Sequence, residues 1–169
     1  MLMPSFSRAE LEEAFAQHQA TVHRCIETGD WNPYAEMYTE DALYIEHVVG
    51  RLQGKEAIRQ YITAVMAEFP GNHMPSLPAT WTVFDPEKGW VVCEIDNVMS
   101  DPGDGQHWGE PNLTVLHYAG DGLWSQQEDA YNPANMVKMV RRWCKAAEAS
   151  GNLPEEASEW LAKYGSRKN

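Results

Sequence analysis

The sequence predicts an α+β fold, in which a curved antiparallel sheet wraps around three helices from the N-terminal half and a further helix follows the sheet. Two observations lead to this prediction. Between residues 8 and 69, apolar residues recur every three or four positions, apart from one strand-like run. Between residues 79 and 131, four strand-like runs are separated by turn-forming residues. Helices that are segregated onto one face of an antiparallel sheet are typical of the α+β class.

The first predicted helix is long and amphipathic. Ser7 and Glu10 have the spacing of a capping box at its start, and Gly29 offers a left-handed end. Between them a single apolar stripe recurs at helical spacing, formed by Leu11, Phe15, His18, Val22 and Ile26. We expect this stripe to face the core.

Two more helices and one strand complete the first half. Asp30 caps a short second helix over residues 31–38. A strand is predicted over residues 42–49. The third helix covers residues 57–69 and ends at Pro70, because the proline ring and its missing N–H do not allow the helix to continue.

The second half begins with four strands and ends with a helix. The predicted strands cover residues 79–84, 90–99, 112–118 and 123–131. Turn-forming residues between them favour antiparallel pairing. Asn132 and Pro133 have the types expected at the cap and first position of a helix, which runs to Gly151. We therefore predict one domain over residues 1–150 and a short helical extension over residues 151–169.

Charge and composition exclude several classes of partner. Thirteen Lys and Arg against 25 Asp and Glu give a formal net charge of −12, so we expect neither nucleic acid nor an anionic membrane as a partner. No apolar run reaches the roughly 18 residues of a membrane span, and the first residues lack the pattern of a signal peptide, so we expect a cytoplasmic protein. The six histidines and three cysteines lack metal-ligand spacing, so we predict no metal site.

Four segments carry a resemblance to a known family. They are residues 27–30, 38–50, 54–59 and 120–131. With them the chain, over residues 8–150, resembles the ketosteroid isomerase and SnoaL-like polyketide cyclase group of the nuclear transport factor 2-like fold. The resemblance implies a cone-shaped sheet around an apolar pocket, with no cofactor. That fold hosts isomerases, cyclases, dehydratases, epoxide hydrolases and non-catalytic binders, so it does not name the reaction.

The resemblance also places the family's functional positions on this chain. The general base of ketosteroid isomerases, counted back from Gly50, falls on His47. Their helix-one tyrosine falls on Val22, and the acid on the penultimate strand falls on Thr114. Because neither oxyanion-hole group is present, the resemblance implies a reaction other than ordinary ketosteroid isomerisation.

The alternation of side chains along the strands selects the remaining pocket residues. The resemblance places Gln127, Asp129 and Tyr131 of the last strand inside, since they share one face. Asn97 is the polar member of the apolar face of residues 90–99. Trp108 is expected in the apolar part of the wall.

A histidine and a carboxylate in one pocket favour acid–base chemistry. Histidine exchanges protons near neutral pH, and a neighbouring carboxylate orients it, so we predict that His47 and Asp129 form a general-base dyad. Tyr131 or Asn97 would then stabilise an oxyanion. Glu46 has the opposite parity, and an error of one residue in the register would make Glu46 the base instead.

Two functions agree with this pattern. The first is a small cofactor-independent isomerase, lyase, cyclase or hydrolase that acts on a hydrophobic oxygenated ring compound, such as a steroid-like or polyketide-like molecule. The second is a non-catalytic protein of the same fold that binds a small ligand or another protein. In either case we expect a homodimer through the outer face of the sheet, where strand alternation places Trp81, Trp90, Val92, Val98 and Trp124.

Overall fold

The computed structural model describes residues 6–164, so the remaining residues of the predicted domain (1–5) and of the predicted extension (165–169) lie outside the described part. It has the predicted α+β architecture, with a curved, unclosed sheet covered by helices. The helices are α1 (Arg8–Thr28), α2 (Asn32–Ala35), α3 (Lys55–Ala67), α4 (Pro133–Ala149) and α5 (Glu155–Tyr164), and a 3₁₀ turn covers Gly71–His73. The strands are β1 (Tyr38–Glu46), β2 (Gly50–Gln53), β3 (Ala79–Asp85), β4 (Trp90–Val98), β5 (Gly109–Gly120) and β6 (Leu123–Ala130).

The long helices begin and end where the sequence predicts. The Ser7 hydroxyl accepts a hydrogen bond from the Glu10 backbone N–H at 3.1 Å, and Gly29 ends α1 with a φ of 71°. Asn132 caps α4 through the Ala134 N–H at 3.0 Å, with Pro133 at the first helical position. These contacts fix the points at which α1 and α4 begin.

The sheet is mixed, which corrects the prediction of an antiparallel sheet. Its strand order is β2-β1-β6-β5-β4-β3, and β1 runs parallel to β6 while the other pairs are antiparallel. The chain forms the β1–β2 hairpin first and returns after β5 to place β6 beside β1. Side-chain alternation does not reveal this pairing, because it reports the face of a strand and not its neighbour.

The first strand differs from its predicted bounds. It begins at Tyr38, so the second helix is only the turn Asn32–Ala35, and it ends at Glu46 instead of Val49. A turn then leads to the short strand β2, which the sequence analysis missed. β2 has only four residues, which is too short for an alternating pattern to stand out.

A β-bulge in β6 turns Trp124 into the core, which corrects its expected outward position. His117 pairs with Gln126, whereas the next residue of β5, Tyr118, pairs with Trp124, so β6 carries the extra residue Ser125. An extra residue reverses the alternation of side chains beyond it. Trp124 is therefore fully buried, and its ring centroid lies 5.2 Å from that of Tyr118.

Two apolar clusters hold the structure together. The larger lies between α1, α3 and the inner face of the sheet, and includes Leu11, Ile58, Tyr38, Val91, Leu116 and Trp124. The smaller joins α4 and α5 to the segment before β3, and includes Met74, Met99, Trp143, Cys144 and Ala157. Within residues 6–164 no helix has the length and apolar character required to cross a membrane.

Candidate active site

A cavity of about 300 Å³ lies between the helices and the concave face of the sheet. Most of its wall is apolar, and its polar residues come from α1, β1 and the three strands β4, β5 and β6. They are His18, Gln19, Glu46, Asn97, Asn112, Thr114, Gln127 and Asp129, with the phenols of Tyr34, Tyr44, Tyr61 and Tyr131. No Lys or Arg is among the described residues that line it. The cavity therefore has two carboxylates and no cationic side chain in its wall.

Asp129 is partly buried and hydrogen-bonded through both oxygens. Its Oδ1 accepts from the Thr114 hydroxyl at 2.6 Å, and its Oδ2 accepts from the Tyr44 hydroxyl and from Gln127 Nε2, the latter at 2.9 Å. Burial raises the pKa of the Asp129 carboxyl, and these donors oppose the rise. A carboxylate held by this many donors is fixed in position and has few lone pairs left for hydrogen bonds to a bound molecule.

The Asp129 network extends to two further tyrosines. Gln127 Oε1 accepts a hydrogen bond from the Tyr34 hydroxyl at 3.1 Å, and it also contacts the Tyr38 hydroxyl. Burial raises the pKa of the Tyr38 and Tyr44 phenols, so both stay protonated near neutral pH. The network therefore gives the narrow part of the cavity a rigid polar wall.

Glu46 is the second carboxylate, and its two oxygens differ. It is the last residue of β1 and only 3% exposed. Its Oε2 accepts from the backbone N–H groups of Val48 at 2.8 Å and Val49 at 2.6 Å. Its Oε1 is buried and has no hydrogen-bond partner among residues 6–164. The turn after β1 thus holds the side chain by one oxygen and leaves the other available.

Two tyrosines accompany Glu46 in the cavity wall. Burial, together with the neighbouring Glu46 carboxylate, raises the pKa of the Tyr131 and Tyr61 phenols. Both therefore remain hydrogen-bond donors near neutral pH. One potential base and two potential donors occupy the same part of the cavity.

His18 of α1 is the third unusual polar group. It is 5% exposed, and neither of its ring nitrogens makes a hydrogen bond within the described part of the chain. Burial lowers the pKa of its imidazole to about 4, although the neighbouring Gln127 amide raises it slightly. The ring lies among aromatic side chains, with its centroid 6.0 Å from that of Tyr34 and 6.1 Å from that of Trp124. His18 is therefore a neutral polar group in an apolar wall.

The predicted dyad of His47 and Asp129 is not formed, and this is a correction. His47 is absent from the cavity wall; its side chain is 41% exposed, and its Nε2 lies 2.9 Å from Glu128 Oε1. Glu46 occupies the inward position that the prediction gave to His47. The reason is that β1 ends at Glu46, so counting back from Gly50 crosses a turn in which strand alternation does not apply.

Of the other predicted pocket residues, all but Trp108 line the cavity. Those that line the cavity as expected are Val22, Asn97, Thr114, Gln127, Asp129 and Tyr131. Trp108 does not, which corrects that expectation: its indole N–H donates to Asp104 Oδ1 at 3.1 Å, and its ring lies 5.5 Å from the Arg142 guanidinium on α4. Trp108 precedes β5, beyond the residues whose alternation determines the cavity wall.

The sequence analysis missed Tyr44 and Asn112 and gave no partner to Glu46. A signal for Tyr44 was available, because it lies two residues before Glu46 on the same strand and must share its face. Within residues 6–164, no group of three or more His, Cys, Asp and Glu side chains is close enough to hold a metal ion.

Comparison with known proteins identifies the family. The model of the SnoaL-like domain matches residues 18–127, which is most of the sheet and the helices that cover it. The chain belongs to the SnoaL-like family. This confirms the predicted resemblance. A search of curated proteins found no match to this SnoaL-like chain.

Solved structures with the same fold include proteins named for different reactions. One is an LEH-like epoxide hydrolase from M. tuberculosis, with a TM-score of 0.61 and 13% identity, covering 86% of this SnoaL-like chain and 95% of the other. A provisionally named isomerase from Bacillus subtilis has a TM-score of 0.58 and 19% identity, covering 86% and 97%. A nuclear transport factor 2-like protein from Anabaena variabilis has a TM-score of 0.58 and 18% identity, covering 77% and 95%. At these identities the likeness shows the fold alone.

Proposed function

We propose that this protein is a cofactor-independent acid–base enzyme that acts on a hydrophobic oxygenated ring compound and uses Glu46 as its general base. The state of the Glu46 carboxylate carries the proposal. Oε2 is fixed by two backbone N–H groups, while Oε1 is buried at the cavity without a hydrogen-bond partner among residues 6–164. A general base needs a positioned acceptor within reach of the bound molecule, and Glu46 provides one.

Asp129 is less suited to be the base, because both of its oxygens already accept hydrogen bonds. We assign it instead a positioning role. By accepting from Tyr44 and Gln127, it holds these side chains in the cavity wall.

The proposed reaction begins with a proton transfer to Glu46 Oε1. For a ring ketone, the proton leaves the carbon next to the carbonyl, and its electron pair moves to the carbonyl oxygen. A phenol of Tyr131 or Tyr61 then donates a hydrogen bond to that oxygen. In a β,γ-unsaturated ring ketone, return of the proton to the γ-carbon shifts the double bond and completes an isomerisation. If the proton comes from water, the resulting hydroxide attacks an epoxide carbon and the ring C–O bond breaks. The released oxygen then takes up a proton, Glu46 gives its proton to solvent, and the reaction is a hydrolysis.

The similar structures named for isomerisation and epoxide hydrolysis indicate which reactions to test first. We would incubate the protein in D₂O with 2-tetralone, an apolar ring ketone, and separately with limonene 1,2-epoxide. Mass spectrometry measures deuterium in the ketone, and gas chromatography measures the diol formed from the epoxide. We expect Glu46→Gln to lower the active reaction by about 100-fold or more, the usual loss on removal of a general base.

Glu128→Gln is the matched control, since Glu128 lies on β6 but contacts His47 outside the cavity. It should leave the rate unchanged. Equal rates for Glu46→Gln and the unmodified protein would contradict the role of Glu46. Saturable binding of both compounds without turnover of either would favour the alternative, a non-catalytic ligand-binding member of the family.

A further inference from the structure

His18 marks a second binding position in the cavity, remote from the proposed base. It is one of two cavity-lining side chains that are more than nine-tenths buried and have a polar atom without a partner in the described part of the chain; the other is Glu46. A buried polar group that lacks a hydrogen bond lowers stability unless something else supplies the bond. An apolar residue at this position of the α1 stripe would avoid that cost.

The contacts of His18 place it at a different position in the cavity from Glu46. Its ring packs against Trp124 and Tyr34, and Tyr34 in turn bonds to Gln127. In the sheet, Gln127 is the neighbour of Tyr44, and the next inward pair along β1 and β6 is Glu46 and Asp129. One such step of two residues is about 7 Å. The two unpartnered groups therefore lie at separate positions along the same wall.

We propose that the substrate carries two neutral polar groups on an apolar ring body, with one bound by the His18 imidazole and the other placed at Glu46. This deepens the proposed function and rests on it only for the role of Glu46. A neutral imidazole has one donor and one acceptor nitrogen, so it suits a hydroxyl or a carbonyl. The uncharged form is ensured by burial, which lowers the pKa of His18 to about 4.

The charges of the wall exclude anionic substrates. The cavity contains Glu46 and Asp129, and among its described lining residues there is no Lys or Arg to pair with a carboxylate or phosphate. An anion moved into this cavity would lose its hydration without gaining a counter-charge. The substrate class is therefore a neutral ring compound with a hydroxyl or carbonyl near each end.

Naphthalene derivatives test this proposal by isothermal titration calorimetry. The probes are 2,6-dihydroxynaphthalene, with two polar ends, 2-naphthol, with one, and 6-hydroxy-2-naphthoate, with an anionic end. We expect the unmodified protein to bind the diol about fivefold more tightly than 2-naphthol, since one additional neutral hydrogen bond has an effect of about this size. The naphthoate should bind more weakly than either.

His18→Phe should abolish the preference for the diol and leave the affinity for 2-naphthol unchanged. Glu46→Gln should weaken the binding of the diol and of 2-naphthol and leave the ratio of their affinities unchanged. The role of Glu46 and the role of His18 can therefore be contradicted independently. His23→Phe is the matched control, because His23 lies on the exposed side of α1. An unchanged preference in His18→Phe would overturn the proposal, as would tighter binding of the naphthoate than of the diol.

A measurement on the unmodified protein keeps the proposal testable if His18→Phe does not fold. The ¹⁵N chemical shifts of the His18 ring report directly on its hydrogen bonds. We expect them to move on addition of the diol, and to move much less with 2-naphthol. Equal changes in the ¹⁵N chemical shifts with the two ligands, or no change with either at saturation, would overturn the proposal that His18 binds the second polar group of the substrate.

Discussion

Burial of His18 makes the stability of the protein sensitive to acid. Its pKa is about 4 in the folded protein and 6.5 for the free side chain. Above about pH 6.5 the imidazole is neutral in both the folded and the unfolded state, so protonation of His18 does not lower the free energy of unfolding. As the pH falls from about 6.5 to about 4, the unfolded chain binds a proton that the folded protein does not, and up to about 3 kcal/mol of stability is lost.

Replacement of His18 by phenylalanine should remove this acid-sensitive step. At neutral pH we expect His18→Phe to be at least as stable as the unmodified protein, because it removes an unpartnered polar group. Its advantage should then grow as the pH is lowered from about 7.5 to about 4. Urea unfolding across this range measures the difference, with His23→Phe as control. A difference that is independent of pH would show that folding does not lower the pKa of His18.

Some residues of the candidate site could be predicted from the sequence and others could not. Strand alternation put Asp129, Gln127 and Tyr131 on one face, the family resemblance turned that face inward, and all three line the cavity. The prediction exchanged Glu46 with His47, because the end of β1 depends on the turn in which the Glu46 carboxylate accepts two backbone N–H groups. Such a turn is a property of three-dimensional contacts. The missing hydrogen-bond partners of Glu46 and His18 are visible only in the folded structure, for the same reason.

At the scale of elements, α5 is held by few contacts and should open independently of the sheet. It packs on α4 and is joined to the 3₁₀ turn by the contact of Glu156 Oε1 with His73 Nε2 at 2.8 Å. Ala157 is its fully buried residue. We therefore expect residues 151–169 to behave as the separate extension that the sequence predicts.

We expect Ala157→Gln to release α5, since a long polar side chain does not fit a fully buried alanine position. Hydrogen exchange should become faster in residues 155–164 and around the 3₁₀ turn, while β4, β5 and β6 keep their protection. Ser158→Gln, at the exposed neighbouring position, is the control. Loss of protection throughout the sheet would show instead that α5 is part of the cooperative core.

The element pattern itself was largely predictable, and the exceptions, besides the short β2 and the bounds of β1, have physical causes. Capping residues and apolar periodicity located α1, α4 and the strands β3 to β6. The bulge at Ser125 could not be recognised, because one extra residue leaves the local composition unchanged while it turns Trp124 inward. The parallel pairing of β1 with β6 depends on strands far apart in the chain, which local patterns do not report.

The outer face of the sheet carries exposed apolar side chains on adjacent strands. Trp81 is 44% exposed and Leu113 is 43% exposed, and they flank the charged Glu94 of β4. Val83 is 57% exposed and forms the next row with Val92 and Val115. An apolar face on a chain with a net charge of −12 favours a second copy of that same face over charged partners.

The predicted homodimer can be tested by light scattering at micromolar concentration. We expect a dimer for the unmodified protein and a monomer for Trp81→Glu, because the substitution would place two carboxylates in an apolar interface. Val49→Glu, exposed on the turn after β1, is the matched control and should remain a dimer. A monomeric unmodified protein would contradict the prediction.

The placement of β6 between β1 and β5 also determines when the cavity can form during synthesis. Tyr44 and Asp129 are bonded to each other but lie 85 residues apart in the chain. At about 5–20 residues per second, the ribosome releases β6 roughly 4 to 17 s after β1. Until then the edge of β1 that pairs with β6 has no neighbouring strand. Closing so long a loop is slow, because it lowers the conformational entropy of the chain. The wall that carries the proposed base is thus among the last parts of the nascent sheet to be completed.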